Sequence, residues 1–356
     1  MFKKKTLLLI MDSESSFEQY KNKGLSGLAN IGNTCYLNSC MQILSHTYEL
    51  NNFLLDGSYK NKINKKPESV LLLEWDKLRE MIWSGNCTIA PYGFVKAVQK
   101  ISLIKDRPLF TGHDQNDIEE FLLFMIDSFH ASLSREVDME ISGNIENSTD
   151  KLASSCYTMM KNMYSKEYSE MLKLFYGIHV SEISSMETGE QLSLRPEPFS
   201  LLNLSIPNIK NEVTLLDCIN MYCKREELTG DNQWLNDKTN MKEDVYRGII
   251  FWSLPDILII SLKRWTNNGR KIHKNINVPF NLDLSTYVKG YNNNSYKYDL
   301  YGVYNHWGGS FGGHYTGNVR NANGKWYTFN DTNVIEIKTT DVISDKSYCL
   351  FYRKKK

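Results

Sequence analysis

The chain has 356 residues, 42 Lys+Arg against 41 Asp+Glu, a formal net charge of +1, and is 41% hydrophobic and 23% charged. This is the composition of a globular chain long enough to bury a sizeable core without disulfides, which excludes a mostly disordered protein. Near-neutral charge removes the electrostatic case for a dedicated nucleic-acid binder, and no apolar run of about 18 residues is present to span a membrane.

The N-terminal Met1-Phe2-Lys3-Lys4-Lys5 followed by residues 6–11 mimics a signal peptide. Its apolar core is too short, and Asp12 and Glu14 follow at once, so residues 1–23 read as an exposed, flexible leader. Residues 24–33 are small and turn-rich. A helical pattern opens at Cys35, with Leu37, Cys40, Met41 and Leu44 at helical spacing and Asn33 or Thr34 available as a cap. Residues 71–83 and 117–131 read as amphipathic helices, the latter presenting Ile118, Phe121, Leu122, Met125, Ile126 and Phe129 on one face. The polar stretch 132–152 reads as an insertion or mobile loop.

From about residue 174 the texture becomes strands: 176–183, 191–194 and 199–206, then a short helix over 214–222. Apolar runs follow at 245–252 and 257–265, the second a candidate buried central strand. A loop is predicted over 291–296, and strands over 299–305, 314–320, 325–330 and 347–352. Helices first and strands later is an α+β arrangement. The basic end, residues 353–356, reads as a solvated tail. Seven cysteines with no C-x-x-C pair argue against a disulfide framework or a Cys-rich zinc site and for a reducing compartment.

Two segments carry chemistry. In Gly27-Leu28-Ala29-Asn30-Ile31-Gly32-Asn33-Thr34-Cys35, a cysteine opens a helix, where the dipole and free backbone N–H groups favour thiolate. Asn30 offers a side-chain amide to an oxyanion, beside the Cys35 N–H. In His306-Trp307-Gly308-Gly309-Ser310-Phe311-Gly312-Gly313-His314-Tyr315, a glycine-rich loop ends in a histidine that starts a strand. His314 is the candidate base; the strand 326–330 ends in Asn330 and Asp331, either able to orient its imidazole. If paired positions sum to 644, His314 faces Asn330; a two-residue Asn323-Gly324 turn gives 647 and puts Asp331 on that face. His306 reads as shaping the loop. His46, His113, His130, His179 and His273 read as surface or packing residues.

The segment 27–42 resembles the Cys box of the ubiquitin-specific proteases, and 308–331 resembles their His box. Asp114-Gln115-Asn116-Asp117-Ile118-Glu119-Glu120-Phe121-Leu122, residues 197–202 and residues 254–265 are similar to further family segments, in family order. The resemblance implies an α+β, papain-like cysteine peptidase with helical thumb (24–165), β fingers (170–255) and β-sheet palm (256–353) forming one catalytic domain over 24–353. It implies that Cys35 is the nucleophile, His314 its base, Asn330 the third triad member with Asp331 as an adjacent helper, and Asn30 the oxyanion donor. This favours the 644 register or a bulge that mimics it. It further implies substrate contacts by Asp117, Gly312, Gly313 and Tyr315, with loops at 282–296 and 306–313 folding over the ubiquitin tail. The partners implied are ubiquitin and ubiquitinated proteins, bound by a monomer inside the cell, in cytoplasm or nucleus, with no membrane, nucleic acid or cofactor. A peptidase for a ubiquitin-like modifier and an inactive ubiquitin-binding module are the alternatives. Where many relatives carry two zinc-binding C-x-x-C pairs, this chain has Ser185, Thr188, Leu235 and Lys238, so no metal is expected there.

Overall fold

The computed structural model describes residues 3–4, 14–112, 114–209, 212–309 and 312–355. His113 therefore lies outside the described residues, as do parts of the leader and the two residues between Gly309 and Gly312. No helix among the described residues is long and apolar enough to cross a membrane.

The first half is helical: α1 (Cys35–Ser45), α2 (Tyr48–Leu55), α3 (Ser69–Ser84), α4 (Tyr92–Ile104), α5 (Ile118–Leu133), α6 (Ser148–Tyr164) and α7 (Glu170–Phe175). Helix α1 is buried along its whole length, because α5 packs against it on one side and the palm sheet on the other. The start of α5 is fixed by Asp117, whose Oδ1 accepts from the Glu119 and Glu120 N–H groups at 2.7 and 3.3 Å. Helix α6 shortens the polar segment read as a loop over 132–152: residues 134–147 are non-helical, and the helix takes over from Ser148. Asn147 caps it, and Leu152, Ala153, Cys156, Met160 and Tyr164 pack it onto Ile178, Val180 and Trp252 of the fingers root. Its apolar stripe is narrow and its other faces are Ser, Thr, Lys and Asn, so composition hides the period.

The second half is β: β1 (Gly177–Ser185), β2 (Gln191–Phe199), β3 (Leu202–Ser205), β4 (Val245–Ser253), β5 (Ile257–Lys263), β6 (Lys297–Gly309), β7 (Gly312–Arg320), β8 (Trp326–Asn330), β9 (Asn333–Ile337) and β10 (Ser347–Lys354). Thr214 opens the helix α8 (Leu215–Cys223) with a capping box to Asp217. The fingers sheet runs β2-β1-β4 with Glu226–Leu228 on its edge; the palm sheet runs β9-β8-β7-β6-β10-β5-β3, with Asn281–Asp283 paired to β6. Strand β5 is interior and buried except at Lys263, as its Ile/Leu run requires.

The β7–β8 ladder pairs Gly317 with Phe329 and Arg320 with Trp326, a sum of 646 rather than 644 or 647. An even sum keeps His314 and Asn330 on one face of the sheet; the five-residue turn 321–325, closed by Asn321 N–H to Lys325 C=O at 2.9 Å, sets it. The segment 306–313 is also no free loop. Its described residues form the end of a ladder in which Trp307 pairs with His314 and Gly309 with Gly312.

The leader differs from expectation at its end. Tyr20 is buried and stacks on Tyr48 at 4.6 Å, while Phe17 and Tyr48 flank the Arg353 guanidinium that pairs with Glu49. Arg353 thus belongs to the packed body rather than to a solvated tail. At the fingertips, Ser185 Oγ accepts from the Glu187 and Thr188 N–H groups, and Lys238 N–H donates to Asn236 Oδ1. One hydroxyl committed to a turn, one threonine, one aliphatic side chain and one lysine do not fit a tetrahedral zinc site.

Candidate active site

Cys35 is the first residue of α1 and only 4% exposed. Thr34 precedes it without capping the helix. Its Oγ instead accepts from the Ile31 N–H at 3.1 Å and donates to Asn30 Oδ1. The first-turn N–H groups of α1 are therefore not covered by a Thr34 cap. Helix α1 packs against β7, the strand of His314, and the Tyr315 backbone N–H on that strand favours the thiolate of Cys35. Burial nevertheless pushes the Cys35 thiol up, with the Asp331 carboxylate adding to it and the Tyr315 N–H opposing. Desolvation thus acts against the thiolate that the helix start and the nearby N–H groups favour.

His314 Nε2 lies 2.7 Å from Asn330 Oδ1. An amide oxygen only accepts, so Nε2 carries the ring proton and Nδ1 is the basic nitrogen. The structure gives Asn330 the contact to His314 and places Asp331 elsewhere. Asp331 Oδ1 accepts from Asn38 Nδ2 at 2.7 Å, its Oδ2 from Asn30 Nδ2 at 3.1 Å, and its carbonyl from Leu28 N–H at 2.9 Å. Its φ of 50° is the left-handed turn that aims the side chain back at α1. Asn30 is held at its other end, where Oδ1 accepts from the Thr34 N–H at 3.0 Å and the Gly32 N–H at 3.3 Å. One Asn30 amide proton is bound to Asp331; its second can face the site.

Asn38 and Gln115 were not singled out by sequence reasoning. Asn38 lies one turn after Cys35 on the same helix face, a spacing that could have drawn attention to it. Gln115 Oε1 accepts from the Gly313 N–H at 2.6 Å and so joins the thumb to the glycine hairpin. A Cβ on Gly313 would lie 2.3 Å from both His306 Nε2 and the Trp307 carbonyl oxygen. Gly313→Ala should therefore displace the residue preceding His314 and lower kcat/KM by about 100-fold. Steady-state kinetics check this, and unchanged kinetics would remove Gly313 from the argument.

Asp117 accepts from the Tyr348 hydroxyl through Oδ2 at 3.0 Å while its other oxygen caps α5. The Tyr315 ring is buried and lies 4.6 Å from that of His306. Gly312 is exposed.

Glu119, behind this layer, accepts from Ser261 Oγ. Burial, and then the Asp117 carboxylate, push its carboxyl up to about 7. The folded chain thus keeps a proton that an unfolded chain releases above about pH 4, so stability from this group falls as pH rises from about 4 to about 7. Glu119→Gln should remove that fall. Thermal unfolding at about pH 5 and about pH 8 checks it, and a parallel decline in wild type and variant would reject the assignment.

A family model described as "Ubiquitin carboxyl-terminal hydrolase" matches residues 26–352. The chain belongs to that family, in agreement with the mixed α+β fold and the Cys/His boxes. It is 33% identical to human Ubiquitin carboxyl-terminal hydrolase 2 over 344 residues, 93% of this chain and 55% of that protein. It is 31% identical to the chicken protein of the same name over 342 residues, 93% of each. The chain therefore spans about half the length of the mammalian relative it matches. Among solved structures, the SAGA Ubp8/Sgf11/Sus1/Sgf73 DUB module bound to ubiquitin aldehyde gives a TM-score of 0.71 at 23% identity, covering 95% of this chain and 71% of that one. That likeness shows the fold.

Proposed function

We propose that the chain is a deubiquitinating cysteine peptidase that hydrolyses the amide, peptide or ester bond after the C-terminal glycine of ubiquitin. The observation that carries this is the meeting of α1 and β7: Cys35 opens the helix that packs against the strand carrying His314, itself oriented by Asn330.

Cys35 enters the reaction as a thiol. His314 Nδ1 takes its proton as sulfur attacks the glycine carbonyl, so the imidazolium forms with attack rather than before it. Asn330 stabilises that cation through Nε2. Asn30 Nδ2 and the Cys35 N–H receive the oxyanion, and collapse passes the His314 proton to the leaving amine. Water then attacks the thioester, with His314 as base again. The glycine pair Gly312-Gly313 leaves a narrow approach suited to the side-chain-free end of ubiquitin, and Asp117 supplies negative charge for its basic tail. Fingers and palm would grip the folded body of ubiquitin, which supplies most of the binding energy. Seven cysteines without a disulfide framework fit an intracellular setting in which a monomer acts on ubiquitinated proteins.

The test is covalent capture by ubiquitin bearing a C-terminal electrophile, beside a panel of ubiquitin-like modifiers bearing the same group. Capture by ubiquitin at Cys35, located by mass spectrometry, is expected. Exclusive capture by another modifier would replace the substrate, and capture by none would reject the peptidase reading.

A further inference from the structure

A second imidazole stands beside the catalytic strand. His306 on β6 pairs with Tyr315 on β7, and its ring is buried between those of Tyr315 at 4.6 Å, Trp265 at 5.8 Å and Tyr348 at 6.2 Å. Its two nitrogens face different structures. Nδ1 is 3.0 Å from Lys271 Nζ, whereas Nε2 lies 2.3 Å from where a Cβ on Gly313 would stand. Lys271 Nζ also donates to the His306 carbonyl at 2.6 Å and reaches the Gly308 carbonyl at 3.5 Å, so its three protons have three acceptors, all on or beside this imidazole.

Lys271 is itself on a fixed base. It bridges to Trp265, and Arg264, fully buried, donates to the carbonyls of Ser347, Ile272 and Lys274 at 2.6, 3.0 and 2.9 Å. On the far side of Gly313, Gln115 of the thumb closes the column.

We propose that Lys271 and His306 are positioning residues: the ammonium fixes the His306 ring, and that ring sets the height of Gly313 and hence of His314 over Cys35. The inference rests on the peptidase reading of the site. An ammonium only donates, so His306 Nδ1 is unprotonated and Nε2 carries the hydrogen. Burial, and then Lys271, hold the His306 imidazole down at about 4, so it stays neutral and is a poor base, which leaves that task to His314.

Lys271 is pushed down to about 8, first by burial, then by Arg264 and Lys346, with Asp345 opposing. Asp345 in turn faces Lys346 and His273. Above about pH 8 the amine keeps two protons for three acceptors, and the hairpin loses a tie. Activity should therefore fall on the alkaline side through this group.

The experiment uses the full chain, a fluorogenic ubiquitin C-terminal amide, and the variants Lys271→Met, Lys271→Arg and His306→Gln. Lys271→Met should lower kcat by about 10- to 100-fold with a smaller rise in KM, because the reacting group moves while most ubiquitin contacts remain. Lys271→Arg, which stays charged, should retain most of kcat and lose the alkaline limb near pH 8. His306→Gln keeps an acceptor for Lys271 and should lie between the two. Nitrogen-15 spectra of the histidines give a readout independent of turnover, with His306 unprotonated at Nδ1 in wild type and altered in Lys271→Met. If Lys271→Met does not fold, the Lys271→Arg pH profile decides: an unmoved limb overturns the proposal. Wild-type kinetics in Lys271→Met, or a proton on His306 Nδ1 in wild type, also overturn it. A wild type that fails to turn over ubiquitin amide counts against the peptidase reading, while the spectra still judge the Lys271–His306 pair.

Discussion

Cys35→Ala is expected to lower hydrolysis of a ubiquitin C-terminal amide by about 10⁶-fold, the scale of loss when a nucleophile acting as a unit with its base is removed. No neighbouring thiol can substitute. Cys40 lies on the same helix, fully buried, and desolvation pushes its thiol up to about 12. Ubiquitin binding should survive, because alanine fits where the thiol was and the fingers and palm surfaces are untouched. Turnover and equilibrium binding to ubiquitin, measured on one preparation, separate the two effects. Residual turnover near the wild-type rate would sink the mechanism; loss of binding together with turnover would point to misfolding, which far-ultraviolet circular dichroism would reveal.

The second large effect concerns the oxyanion. Asn30→Ala should lower kcat by about 10²- to 10³-fold with little change in KM, as expected for a donor used only when the carbonyl becomes tetrahedral. The amide cannot turn over to present its oxygen, since Thr34 and Gly32 hold Oδ1 while Asp331 holds one proton of Nδ2. Asp331 should therefore act through Asn30. Asp331→Asn tolerates the left-handed backbone, yet replaces one acceptor oxygen by a donor facing Asn30 or Asn38. It should lower kcat by about 10-fold, less than Asn30→Ala, and the double variant should be no worse than Asn30→Ala alone. Additive losses in this cycle would assign Asp331 a separate role, for instance on His314. The comparison needs only kcat and KM for the three variants.

These effects show which features sequence could carry. Cys35 at a helix start and His314 at the end of a glycine run stand out because each needs a local environment that a few neighbouring residues announce. The strand character of 257–263 and the amphipathic face of α5 are equally local, a matter of period and capping. Helices α2, α4 and α6 passed unread because their apolar stripes are short or mixed with polar residues, and packing against α3, the fingers root or the leader decides them.

What the sequence determined by itself is the candidate Cys/His pair, the succession of a helical half and a strand half, and the family those boxes mark. Only the tertiary structure decided which polar neighbour serves which partner. Asn330 and Asp331 are adjacent in the chain, yet a register of 646 and one left-handed residue turn the first to His314 and the second to Asn30 and Asn38. Likewise the state of the Cys35 sulfur depends on burial beneath β7, and desolvation is a property of everything packed around an atom, which no stretch of neighbouring letters contains.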